Sequence, residues 1–141
     1  MTMCLFGHRD APADAGTRLK CFLKDLILKH GEISVLVGQQ GAFDRMAAKV
    51  LCELSKEYAG LRWSLVLTKL PEKDNEFGAD TVLPEGIENV YPRFAINWRN
   101  NWMIRQSDMI VVYMARNFGG VSQAVKYARS QQKQIINLAE K

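Results

Sequence analysis

The sequence is short of cysteine, of proline and of long apolar runs, and each shortage removes a class of protein. Three cysteines, Cys4, Cys21 and Cys52, stand far apart in 141 residues, with no C-x-x-C pair and no histidine at metal-ligand spacing. That disfavours a disulfide framework and a zinc site. The thiols are expected to be reduced and buried, as in a cytoplasmic protein, and neither a metal nor a cofactor is expected. No stretch reaches the roughly 18 apolar residues of a membrane span. The N-terminus has no basic segment leading into an apolar run, so neither membrane nor export is indicated. With only four prolines and ten glycines, 48% hydrophobic and 24% charged residues, the chain is not collagen-like, disordered or coiled coil.

What is present suits one domain over residues 1–141, long enough to bury a core. Apolar runs at Met3–Phe6, Ile33–Val37, Leu61–Leu67, Met109–Met114 and Gln134–Leu138 read as strands, and Ile87–Tyr91 as a further short one. Between them, apolar residues recur at three-and-four spacing. Leu19, Phe22, Leu23, Leu26 and Ile27 mark a helix from about Ala13 to His30; Phe43, Met46, Ala47, Val50, Leu51 and Leu54 mark another from Gly41 to about Tyr58. Pro92 opens a third helix to about Arg105, and Val121, Ala124, Val125 and Ala128 mark a fourth. Residues 71–86 carry no sustained period and read as a long loop, either a lid or a surface excursion. Unbroken apolar strands alternating with helices predict a Rossmann-like α/β fold. Its doubly wound, mainly parallel sheet has helices on both faces. Ligands of such sheets bind beyond the carboxyl ends of the strands.

Three glycine-bearing turns follow predicted strands: Gly7-His8-Arg9, Gly38-Gln39-Gln40-Gly41 and Asn117-Phe118-Gly119-Gly120. Glycine lets a ligand approach the backbone, and the free N–H groups of the next helix favour phosphate. Neither G-x-G-x-x-G nor the P-loop pattern is present, which disfavours classical dinucleotide and P-loop sites. The net charge is +4; residues 86–131 hold six basic against two acidic side chains, a surplus equal to that of the whole chain. Arg93, Arg99 and Arg105 are six residues apart, so successive members turn by roughly 240° about a helix and form no basic stripe. A nucleic-acid partner is therefore not expected. One arginine forking onto a phosphate in a compact pocket fits better.

His8 could donate to a phosphate or serve only the turn; Asp44 could accept from a ribose, orient a water, or simply favour its helix N-terminus. Trp98 and Trp102 read as core or dimer-interface residues. No Ser-His-Asp, Cys-His or paired-carboxylate set can be read from spacing, so no catalytic set is assigned; Asp44 and Arg99 are the candidates.

Taken in order, Gly7-His8-Arg9, Gly38 to Asp44, Trp98-Arg99-Asn100-Asn101-Trp102-Met103 leading to Ser107 to Tyr113, and Gly119-Gly120 before Tyr127-Ala128 resemble the SLOG superfamily. It joins the DNA-processing Smf/DprA proteins, the Lonely Guy phosphoribohydrolases and small stand-alone bacterial and phage proteins, which this chain resembles most. The resemblance implies a nucleotide-binding Rossmann-like fold, as a homodimer or larger assembly. Arg99 matches an arginine of the Lonely Guy enzymes. Lys126 stands where their catalytic glutamate belongs, and glycoside cleavage needs such a carboxylate. The expectation is therefore a sensor or sequestering domain for a small nucleotide-derived ligand, leaning away from an enzyme. Base cleavage or transfer through another carboxylate is the alternative. The expected ligand set is Gly7, His8, Arg9, Gly38, Gln39, Gly41, Asp44, Arg99, Asn100, Gly119, Gly120, Ser122 and Gln123.

Overall fold

The computed structural model describes residues 1–71 and 73–140. Its strands are β1 (Thr2–Gly7), β2 (Ile33–Val37), β3 (Leu61–Val66), β4 (Asp80–Val82), β5 (Met109–Tyr113) and β6 (Gln134–Asn137); its helices are α1 (Asp14–His30), α2 (Gly41–Glu57), α3 (Pro92–Gln106) and α4 (Gly120–Ser130). The strands form one sheet in the order β4-β3-β2-β1-β5-β6, and every pairing is parallel. This is the predicted Rossmann-like architecture.

Alternation along the central strand explains the two helical layers. Met3 and Leu5 face one side of β1 and pack with Leu19 and Leu23 of α1 and Phe43, Ala47 and Leu51 of α2. Cys4 and Phe6 face the other side, with Met103 and Ile104 of α3 and Val121, Ala124 and Val125 of α4. All five residues of β5 are buried, as a strand covered on both faces requires.

The chain winds outward from β1 to β4 and then returns to β5 on the opposite side of β1, so the order reverses between β1 and β5. The turns after these strands leave toward opposite faces and open a crevice at their carboxyl ends.

Three local expectations differ from the structure. Within the long loop, Asp80–Val82 forms the edge strand β4, too short and too exposed to leave a periodic signal. Ile87–Asn89 is a turn of 3-10 helix rather than a strand, its backbone bonding locally, as from Val90 N–H to the Ile87 carbonyl. The thiols are not uniformly buried: Cys4 is enclosed, its pKa pushed up to about 12 by burial, whereas Cys21 is exposed on α1 and Cys52 half-buried. Among the described residues no helix is long and apolar enough to cross a membrane.

Candidate functional site

Gly38, the first residue after β2, places its α-carbon against the guanidinium of Arg99, which α3 delivers from the other layer. A Cβ there would lie 2.8 Å from Arg99 Nη2 and 2.9 Å from Cζ, so only glycine leaves the guanidinium room. Arg99 is 2% exposed. Its Nη1 donates to the Val66 carbonyl at 3.4 Å and its Nη2 to Asn100 Oδ1 at 3.1 Å. Its Nε, also buried, has no partner among the described residues. Burial lowers the Arg99 pKa and nearby Asp44 raises it back; a guanidinium nonetheless remains protonated in proteins. The result is a desolvated cation with an unused donor.

Asp44 sits in the first turn of α2, 8% exposed, where its Oδ2 accepts the Gln40 N–H at 2.7 Å. Burial pushes its pKa up to about 6 against the opposing pull of that hydrogen bond and of Arg99 and Arg9. The same turn is tied to the loop after β1 by the Ala42 N–H, which donates to the Arg9 carbonyl at 2.9 Å. Gly41 makes that approach possible: its φ is +86° and a Cβ would strike the Arg9 backbone at 2.8 Å.

Across the crevice, His8 is buried and its Nε2 accepts the N–H of Ala115 at 3.0 Å and of Arg116 at 3.3 Å. Two donors on one ring nitrogen require it unprotonated, so His8 is the neutral tautomer with its proton on Nδ1. Burial, and secondarily Arg116, lower its pKa. Arg116 in turn pairs with Asp10 at 2.9 Å, holding the Asp10 carboxyl below the usual range, and its guanidinium lies over the Phe118 ring at 5.2 Å.

Between these turns lies a cavity of about 370 Å³. Of the positions expected to bind a ligand, Gly7, His8, Arg9, Gly38, Asp44, Arg99, Asn100, Gly119 and Gly120 line it. Gln39 and Gly41 open instead onto a second cavity of about 1010 Å³, which shares Gly38 and Asp44 with the first. Ser122 and Gln123 line neither: α4 turns Ser122 inward, where its hydroxyl faces Asn117 Oδ1 at 3.5 Å, and Gln123 out to solvent. Gly7 serves packing too, since a Cβ there would overlap the Phe43 ring. Arg116 was missed as a lining residue, although it follows β5 as His8 and Arg9 follow β1. Lys126 is exposed on α4. Among the described residues no cluster of histidine, cysteine and carboxylate side chains could hold a metal.

No protein-family model matches the chain, and no curated protein matches it in sequence. Among solved structures it is similar to DNA processing protein A from Helicobacter pylori, at a TM-score of 0.66 and 15% identity over 96% of this chain. The chain spans 63% of the length of that protein, whose structure is described for its single-stranded DNA binding mode. At the level of fold this agrees with the Smf/DprA side of the SLOG resemblance.

The comparison corrects two expectations: a small nucleotide-derived ligand, sensed or cleaved, and the exclusion of nucleic acid. The absence of a basic helical stripe disfavours docking one helix face on a polymer. A single strand needs no such face, because it can be held in a crevice whose cations come from several elements. Here Arg9, Arg99 and Arg116 come from the β1 turn, α3 and the β5 turn.

Proposed function

We propose that this chain binds single-stranded DNA, with a backbone phosphate held in the crevice at the carboxyl ends of β1, β2 and β5. The observation that carries this reading is the unpartnered, buried Nε of Arg99 in the wall of a cavity edged by Gly38, Gly119 and Gly120. A desolvated guanidinium with an open donor gains a charge-assisted hydrogen bond from an incoming phosphate oxygen. Arg9 and Arg116 add positive charge, set against Asp44 in the lining and Asp10, which pairs with Arg116 at the rim.

Flat apolar groups suited to stacked bases lie nearby. Phe118, 65% exposed beneath Arg116, adjoins Gly119, and the start of α3 exposes Tyr91 and Phe94, the latter with Arg93 over its ring at 4.7 Å. Aromatic rings beside cations are how proteins hold single strands with little sequence preference. The ordered turns at Gly7–Arg9, Gly38–Asp44 and Gly119–Gly120 support membership of the SLOG superfamily.

The test is binding of a fluorescent single-stranded oligonucleotide to the parent and to Arg99→Gln. The expected loss is about tenfold or more, the worth of one charge-assisted bond. Equal affinity of the two proteins would contradict this reading.

A further inference from the structure

The two helical layers differ in charge. Across α1 and α2, seven lysine and arginine side chains stand among five carboxylates. Across α3 and α4 there are Arg93, Arg99, Arg105, Lys126 and Arg129 and no carboxylate at all. Glu88 and Asp108, the acids that flank α3 in sequence, lie outside both helices, and the Asp108 carboxylate accepts the Thr2 N–H at 2.9 Å. With Arg99 buried, four of these cations stand at the surface of one layer, where neither helix supplies a charge of opposite sign.

The groove between the two helices gathers part of this charge. Asn97, Asn101 and Arg105 recur every four residues, advance by only about 40° each, and so share one face of α3. That face meets α4, because Arg105 Nη1 donates to the Tyr127 hydroxyl at 3.0 Å. On α4, Gln123 lies one turn before Tyr127 and Lys126, and both Gln123 and Lys126 are exposed. Arg105 stands six residues beyond Arg99, and Lys126 six beyond Gly120, a rise of about 9 Å along each helix. Both cations are therefore one step away from the crevice that Arg99 and Gly120 line.

We propose that the groove between α3 and α4 carries the continuation of the strand. The backbone leaves the crevice past Gly119 and Gly120 and lays further phosphates against Arg105 and Lys126. This rests on the single-stranded DNA reading and extends it from a crevice to a path along the outside of one helical layer. Charge complementarity favours a phosphodiester chain, whose oxygens accept from cations and equally from side-chain amides such as those of Asn97 and Gln123. The half-buried Tyr127 ring beside Arg105 offers a base a surface.

Strand length tests the path separately from the crevice. A tetranucleotide, whose phosphates suffice only for the crevice and its rim, and a dodecanucleotide are bound to the parent and to the double variant Arg105→Gln with Lys126→Gln. In the parent the dodecanucleotide shows a salt slope steeper than that of the tetranucleotide by about 1.4, two phosphates at about 0.7 each. The double variant loses that difference and binds the dodecanucleotide about tenfold more weakly, while its affinity for the tetranucleotide is unchanged. Lys29→Gln, which removes an exposed cation from the other layer, leaves both affinities as they were. If the double variant keeps the parent's dodecanucleotide affinity and slope, or weakens both oligonucleotides alike, the path is overturned and the crevice stands. Displacement of the dodecanucleotide by oligoglutamate as readily as by unlabelled DNA also overturns it, in favour of an acidic peptide. If the parent binds neither oligonucleotide, path and crevice fall together. Should the double variant fail to fold, Lys126→Gln alone decides, with a slope change of about 0.7.

Discussion

His8 Nε2 accepts the main-chain N–H groups of Ala115 and Arg116, joining the turn after β1 to the turn after β5 across the point where strand order reverses. The ion pair between Asp10 and Arg116 repeats that link at the surface. Together they hold Arg116 at the rim of the crevice.

Replacing His8 with alanine removes the acceptor of two backbone donors. Ala115 and Arg116 are exposed, so water can partly replace it, and the expected loss of stability is about 1 kcal/mol, measured by urea unfolding. The pH dependence follows from the lowered His8 pKa. The unfolded chain binds this proton more readily. The stabilising contribution is therefore complete above the ordinary histidine value of 6.5 and is lost as pH falls through the lower folded value. His8→Gln should lack that acid-side loss.

Asp44 has the opposite sign. Burial raises its carboxyl to about 6 in the folded protein from the ordinary aspartate value of 3.8, so the folded state favours the proton. Its contribution is present below 3.8 and lost as pH rises through about 6. Asp44→Asn keeps an oxygen for the Gln40 N–H and removes the buried charge. It should be more stable than the parent by about 2–3 kcal/mol at alkaline pH and equal to it at strongly acidic pH. The same variant should bind oligonucleotide more tightly, because the carboxylate no longer competes with phosphate for Arg99. Weaker binding would show that the carboxylate assists the ligand.

Gly38→Ala separates binding from folding. The new methyl group meets the end of a flexible side chain, so Arg99 can swing away at little cost, expected below about 1 kcal/mol in thermal unfolding. With the guanidinium displaced, oligonucleotide affinity should fall about tenfold, close to the effect of Arg99→Gln. Parent-like binding would mean that the position of Arg99 does not matter.

The layers of the fold were legible because unbroken apolar strands such as Met109–Tyr113 and three-and-four stripes such as Leu19, Leu23 and Ile27 record burial directly. The crevice was legible through its glycines, although the reason seen at Gly38 differs from the expected one: its missing side chain makes room for the Arg99 guanidinium. The role of Arg116 was hidden because it depends on His8 and Asp10, more than a hundred residues away in sequence. The second cavity was hidden for a similar reason. Its cover is a segment without period, and what holds it, Arg45 with Glu76 and Trp63 with Phe77, is tertiary contact that no spacing announces. The exclusion of nucleic acid failed because it considered one helix face, while the cations of the crevice come from three separate elements.

The central claim is most directly tested by the salt dependence of single-stranded DNA binding, read by fluorescence anisotropy. Each phosphate neutralised on a single strand contributes about −0.7 to the slope of log affinity against log salt. With one phosphate of a tetranucleotide held by Arg99 in the crevice and a neighbouring phosphate engaged by each of Arg9 and Arg116 at its rim, the slope should be about −2, and Arg99→Gln should make it shallower by about 0.7. Binding that ignores salt, an unchanged slope in Arg99→Gln, or no binding at low salt would contradict the account.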